Sequence, residues 1–182
     1  MKKTKNKISL LVLLITSISI SFAQQKPIPS QMFGINWHLP DSVGVIDAGG
    51  QVNNMIDKIS QAHPQLIRIG GNAYDQDGAT NYQIGKACDS IIYQLDAEPL
   101  VQIPIYKKFG DTVNTFNYTP QDALDLLDYL NSKGYNIKYI ALGNEPDLYP
   151  DLDDSGIDSI ASKFLRFIPV LKSVYPNLKV VV

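Results

Sequence analysis

From Met32 onward the chain alternates short apolar runs with longer segments whose apolar residues recur every three or four positions. The runs are MFGINWHL (Met32 to Leu39), QLIRIGG (Gln65 to Gly71), PLVQIPIY (Pro99 to Tyr106), IKYIALGN (Ile137 to Asn144) and LKVVV (Leu178 to Val182). Each has the length and near-continuous hydrophobicity of a strand buried on both faces. Between them, Val52, Met55, Ile56 and Ile59 repeat at helical spacing, as do Ile84, Cys88, Ile91, Ile92 and Leu95. Thr119-Pro120-Gln121-Asp122 predicts the start of a third helix, with threonine as cap, proline in the first turn and aspartate at the capping-box distance. Leu124, Leu127 and Leu130 form its apolar stripe. Ile160, Phe164, Phe167, Leu171 and Val174 form that of a fourth helix, which Pro169 is expected to kink.

Four strand–helix units and a fifth strand predict parallel strands joined by right-handed crossovers. The helix-to-strand joints are short: His63-Pro64, Glu98-Pro99, Gly134 to Asn136 and Pro176-Asn177. The strand-to-helix loops are long: Pro40 to Gly50, Asn72 to Ala79, Lys107 to Tyr118 and Glu145 to Asp154. Long polar loops after the strands are how a (β/α)8 barrel builds its active face. A doubly wound open sheet usually carries a glycine-rich phosphate loop after its first strand. The stretch Asp41 to Gly50 has only Gly44, Gly49 and Gly50. The expected fold is therefore α/β, the N-terminal portion of a TIM barrel with about four βα units plus a fifth strand. A whole barrel takes roughly 250 residues, so the 182 residues are expected to be its first half. Alone, that half would leave two unpaired parallel edges, which natural proteins avoid.

The N-terminus changes the picture of where the protein works. Basic MKKTKNK precedes the uncharged ISLLVLLITSISISFA, which closes on Ser21-Phe22-Ala23 before Gln24. This is the layout of a secretory signal peptide cleaved after Ala23. Its apolar run of 16 residues, Ile8 to Ala23, is shorter than the roughly 20 of a spanning helix. The expected organisation is a signal peptide at 1–23 and the barrel portion at 24–182. The mature chain is expected in the periplasm, on the cell surface or outside the cell, with no membrane segment after cleavage. Four of the 16 basic residues lie in the signal and none of the 18 acidic ones do, which leaves a net charge near −6. No basic cluster remains, which argues against nucleic acid or anionic membrane as a partner. Cys88 is the only cysteine, so no internal disulfide can form. Its helical setting predicts a small buried side chain.

Candidate chemistry concentrates in YIALGNEPDLY, Tyr139 to Tyr149. The chain has only two glutamates, Glu98 and Glu145, and Glu145 stands where an apolar strand ends. A carboxyl half out of such a strand is expected to be poorly solvated, which favours its protonated form and suits a proton donor. The structural alternative is a carboxylate balancing a helix dipole, although the next helix is expected only near Asp154-Ser155. Asn144 could bind a substrate hydroxyl or simply close the turn. Arg68, between Ile67 and Ile69, needs a carboxylate or carbonyl partner because its charge cannot be shed. Gly70-Gly71-Asn72 then predicts a tight turn beneath a ligand. Trp37 could stack on a sugar ring or cap the core, and His38 suits a hydrogen bond to a ligand better than a metal. His63 and Glu98 stand at strand beginnings and read as structural. Asp147, Asp151, Asp153 and Asp154 lack the glycine and terminal glutamate of an EF-hand loop and read as a solvated acidic loop. No metal site and no cofactor are expected.

Asn-Glu-Pro after the fourth strand, with an arginine in the second, resembles glycoside hydrolase clan A, the retaining (β/α)8 glycosidases. LIRIGGN together with YIALGNEPDLY is most similar to the heparanase and β-glucuronidase branch, or to its cellulase and arabinofuranosidase relatives. The resemblance implies that Glu145 is the acid/base, that Asn144 binds the sugar 2-hydroxyl and that Arg68 supports the nucleophile. It also implies a carbohydrate substrate. The clan's nucleophile is a glutamate after a seventh strand, which these residues do not include. Retaining hydrolysis needs two carboxyl groups about 5–5.5 Å apart, and Glu98 is expected at the wrong end of the barrel. The expected function is thus that of a secreted retaining glycosidase as a full-length protein, with the 182 residues alone inactive. The alternative is a secreted, non-catalytic sugar-binding or adhesion protein with a degenerate barrel. A metal-dependent barrel hydrolase is disfavoured by the lack of a His-x-His pair or other ligand cluster.

Overall fold

Five strands form where the apolar runs predict them, at β1 (Gly34–His38), β2 (Leu66–Gly70), β3 (Glu98–Ile103), β4 (Tyr139–Leu142) and β5 (Lys179–Val181). Between them lie α1 (Ile56–Gln61), α2 (Asn81–Asp89), α3 (Pro120–Ser132) and α4 (Gly156–Val174). These elements come from a computed structural model that describes residues 29, 32–38, 56–71, 74, 79–105, 118–146 and 156–182, with backbone only at 37, 38, 156, 157 and 159. The chain divides into two compact units, Met1–Ser30 and Gln31–Val182. The segment at 1–23, expected to be a signal peptide, lies outside the described residues, as do most of the long loops after the strands. Among the described residues no helix is long and apolar enough to cross a membrane.

The sheet is wholly parallel, and its spatial order, β1-β2-β3-β4-β5, is the sequence order. A doubly wound sheet reverses direction at a switch point; this one does not. Right-handed crossovers in an unreversed order all pass over the same side of the sheet. Burial agrees. Ile67, Ile69, Val101, Ile103, Ile140 and Leu142 share one face by register and join the helix residues Ile84, Cys88, Leu127, Leu130, Phe167 and Leu171 in a single core. The opposite face is less covered: Leu66, Arg68, Leu100 and Tyr139 are half-buried, while Gly70, Gln102 and Ala141 are buried. The strands were expected to be buried on both faces; burial is nearly complete on the helix side and partial on the other, where Gln102 is fully buried and Leu66, Arg68, Leu100 and Tyr139 are not. β1 and β5 each pair on one side only among the described residues, and Ile35, Val181 and Val182 are exposed.

Local chemistry accounts for the helix ends. Thr119 Oγ1 accepts the Asp122 N–H at 3.2 Å, and Asp122 Oδ2 accepts the Thr119 N–H at 2.8 Å, the capping box predicted for α3. Thr80 and Gln83 build the same box on α2. Thr119→Ala is expected to cost about 1 kcal/mol, read as a lower urea midpoint at unchanged slope. After α2 the chain widens into one π-turn, Ser90–Gln94, and the Leu95 N–H reaches Ser90 O at 3.1 Å. Both Ile91 and Leu95 are buried there. α4 continues through Pro169 as one element, with Phe167 and Leu171 inward on either side of it.

Candidate functional site

Among the described residues four non-glycine residues have left-handed backbone: His63, Asp96, Asn136 and Glu145, with φ of 47, 50, 49 and 45°. The first three sit in helix-to-strand joints, where left-handed residues are common; Gly134, not Asn136, is the left-handed residue that ends α3. Glu145 is different. It follows β4, two residues after Gly143 (φ 71°) and well before α4 begins at Gly156. Such a conformation costs a residue with a Cβ roughly 1–2 kcal/mol and clusters at functional sites. The Gly143 N–H donates to Ile103 O at 2.9 Å, which ties this turn to the end of β3.

Arg68 organises the polar face. Register pairs Asn36 with Arg68 and Arg68 with Leu100, so Gln102, two residues further along β3, lies on the same side. The guanidinium donates from Nη2 to Gln102 Oε1 at 2.6 Å and to Asn144 Oδ1 at 3.0 Å, and from Nη1 to Asn36 Oδ1 at 3.4 Å. Its partners are therefore amide carbonyls from three other segments of the chain. Among the described residues no carboxylate forms an ion pair with it. Asn144 donates from Nδ2 to Glu145 Oε2 at 3.4 Å, so the network runs from β1 and β3 through Arg68 to the candidate acid.

The glycines beside it have specific reasons. A Cβ on Gly70 would lie 2.2 Å from Gln102 Oε1, so only glycine admits that side chain. Gly71, at φ 123°, donates its N–H to the same oxygen at 2.8 Å. The tight turn expected at Gly70-Gly71-Asn72 reaches beyond the described residues at Asn72; its first part is held from β3.

Of the site residues read from sequence, Arg68, Asn144 and Glu145 are brought together. His38 pairs in register with Gly70, on the side of Arg68, whereas Trp37 pairs with Ile69, whose face packs against the helices. Asn72 and the aspartates at 147, 151, 153 and 154 lie outside the described residues. One expectation fails: Glu145 is exposed, so in these residues its carboxyl is not desolvated by the strand end. The reason is geometric, since the left-handed turn carries it beyond the covered part of the sheet. Asn36 and Gln102 were missed, although the rule that singled out Arg68, a polar side chain within an apolar strand, applies to both.

Among the described residues the other carboxylates stand on other elements than the β4 end that carries Glu145. Asp57, Asp89, Asp122, Asp125, Asp128 and Asp158 lie on helices, and Asp96 is in a joint. Glu98 opens β3 and pairs with Lys138 just before β4. At about 3.3 Å per strand residue it stands roughly 20 Å from Glu145, at the opposite end of the sheet. Glu98→Gln is expected to change unfolding free energy by less than about 1 kcal/mol, as for other exposed ion pairs, measured by urea titration. Cys88 is buried in the core, and burial with the nearby Asp89 charge pushes its thiol up to about 12, so it stays a packed thiol. Among the described residues no group of three or more His, Cys, Asp or Glu side chains could hold a metal.

Fold and site together define an α/β unit with a sequentially ordered parallel sheet and a polar network at the strand ends. No protein-family model, curated protein or solved structure matches the chain.

Proposed function

We propose that the chain is the N-terminal part of a secreted retaining glycoside hydrolase, in which Glu145 is the general acid/base. The observation that carries this reading is the link between Glu145 and Arg68 through Asn144, across the ends of β4 and β2. A glycosidase acid needs a fixed carboxyl beside a group that can hold a sugar hydroxyl. Asn144 has that position, because its carbonyl is taken by Arg68 and its amino group is turned toward Glu145.

In the same reading the sheet is the first part of a (β/α)8 barrel. The unreversed strand order, the helix-covered face and the one-sided pairing of β1 and β5 support it, since closure into a barrel removes both edges. A carboxylate from a later strand would act as nucleophile, about 5–5.5 Å from Glu145. Arg68 uses three of its five N–H groups on Asn36, Gln102 and Asn144, and of the remaining two, on Nε and Nη1, one could reach that carboxylate. The wall completing the barrel would also cover Glu145 and withdraw it from bulk water.

The test is to follow the full-length protein with a panel of aryl β- and α-glycosides by proton NMR. The expected result is hydrolysis whose first-formed sugar keeps the anomeric configuration of the substrate. Inversion would exclude the two-carboxylate retaining mechanism. Sugar binding without hydrolysis would favour a carbohydrate-binding protein on a degenerate barrel.

A further inference from the structure

Gln102 is the one fully buried polar side chain among the described residues, at 0 % exposure. A buried amide is expensive unless its hydrogen-bonding capacity is used. Its oxygen accepts two bonds, from Arg68 Nη2 at 2.6 Å and from the Gly71 N–H at 2.8 Å. Two donors converging on one point fix which end of the amide faces them, because an NH2 group there would oppose both.

The consequence passes along the guanidinium. Nη2 has two hydrogens; one goes to Gln102 and the other to Asn144 Oδ1 at 3.0 Å. Holding the first directs the second, since the guanidinium is planar and its N–H groups form a rigid fork. Asn144 must then offer its oxygen to Arg68, which turns its Nδ2 toward Glu145 Oε2. Without an anchor, the long arginine stem would visit several rotamers, and Asn144 could present either end of its amide to a ligand. The anchor occupies the space that a Cβ at position 70 would need.

We propose that Gln102 is a positioning residue: through Arg68 it sets the orientation of the Asn144 amide, and so the donor offered to a sugar hydroxyl beside Glu145. The role in sugar binding rests on the glycosidase reading above, but the amide orientation does not.

The experiment separates the two. In full-length protein labelled with 15N-asparagine, the Asn144 side-chain NH2 pair is assigned by its loss in Asn144→Asp. Gln102→Met, which keeps the length but removes the acceptor, is expected to move or broaden that pair. Gln102→Glu, which keeps an acceptor in the same place, is expected to leave it near its original position. Arg68→Met cuts the same relay outside the core and must also move it, which keeps the test decisive if Gln102→Met does not fold. An unmoved Asn144 pair in either methionine variant overturns the proposal. With an active glycoside substrate, Gln102→Met is expected to lower kcat at least tenfold and Gln102→Glu to recover most of that loss. If no glycoside is cleaved by the wild type, the glycosidase reading fails while the amide result still decides the role of Gln102.

Discussion

Glu145→Gln in the full-length protein is expected to lower kcat on glycosides with poor, alcohol-type leaving groups by about 10²–10⁴-fold, the range that a positioned proton donor contributes. Glycosides of acidic phenols should lose far less, because their departing oxygen needs no proton in the transition state. The difference between the two substrate types is the informative quantity. Glutamine keeps the size of the side chain and can still face Asn144, so the turn at φ 45° need not change. Steady-state kinetics over a series of leaving-group pKa values measures the effect as a steeper slope in the variant. Equal losses for good and poor leaving groups would remove Glu145 from the role of proton donor.

Gly70→Ala is expected to be among the most damaging single-methyl changes in the molecule. The new Cβ would meet Gln102 Oε1 at 2.2 Å, Cβ at 2.7 Å and Cδ at 2.9 Å, all closer than real contacts allow. Overpacking costs about 1–3 kcal/mol, and displacing Gln102 leaves the Arg68 and Gly71 donors short of an acceptor at a further cost of about 1–3 kcal/mol. The total, about 2–6 kcal/mol, is a large share of the roughly 5–15 kcal/mol that holds a domain folded. Urea unfolding of the single variants and of Gly70→Ala combined with Gln102→Ala gives the check. The alanine at 102 removes two of the three clashing atoms, so the penalty at position 70 should shrink by about 1 kcal/mol or more in that background. Strict additivity would mean that Gln102 is not what Gly70 makes room for.

The strands were readable because each is an apolar run bounded by turn residues, but their ends were not. The run around β4 extends from Ile137 to Asn144, whereas the ladder covers Tyr139–Leu142. Ile137 is buried without belonging to it, and Gly143 turns left-handed where hydrophobicity alone would continue. β3 ends at Ile103, immediately before Pro104, although the apolar run continues to Tyr106. The π-turn after α2 leaves no mark in a periodicity that fits helix on both sides of it. In the site, Arg68 was conspicuous as a charge among isoleucines. Asn36 and Gln102 are neutral and were passed over, although Gln102 is the more deeply buried. Two polar side chains converge on Arg68 from strands 32 and 34 positions away in sequence, a relation that follows only from register. Solvation of Glu145 depends on what stands opposite it, which no local pattern encodes.

The unreversed strand order also has a bearing on how the molecule is made. Paired strands are separated by 32 to 40 residues, as in Gly34 with Leu66, Leu100 with Tyr139 and Tyr139 with Lys179. Each of the four described ladders therefore closes a loop of similar, moderate length. A chain emerging N-terminus first could add each unit to the one before it, with β1 as the starting template. The cost of such vectorial growth is a moving edge: until its neighbour arrives, each new strand is an open parallel template, paired on one side as β5 is among the described residues, where Val181 and Val182 are exposed.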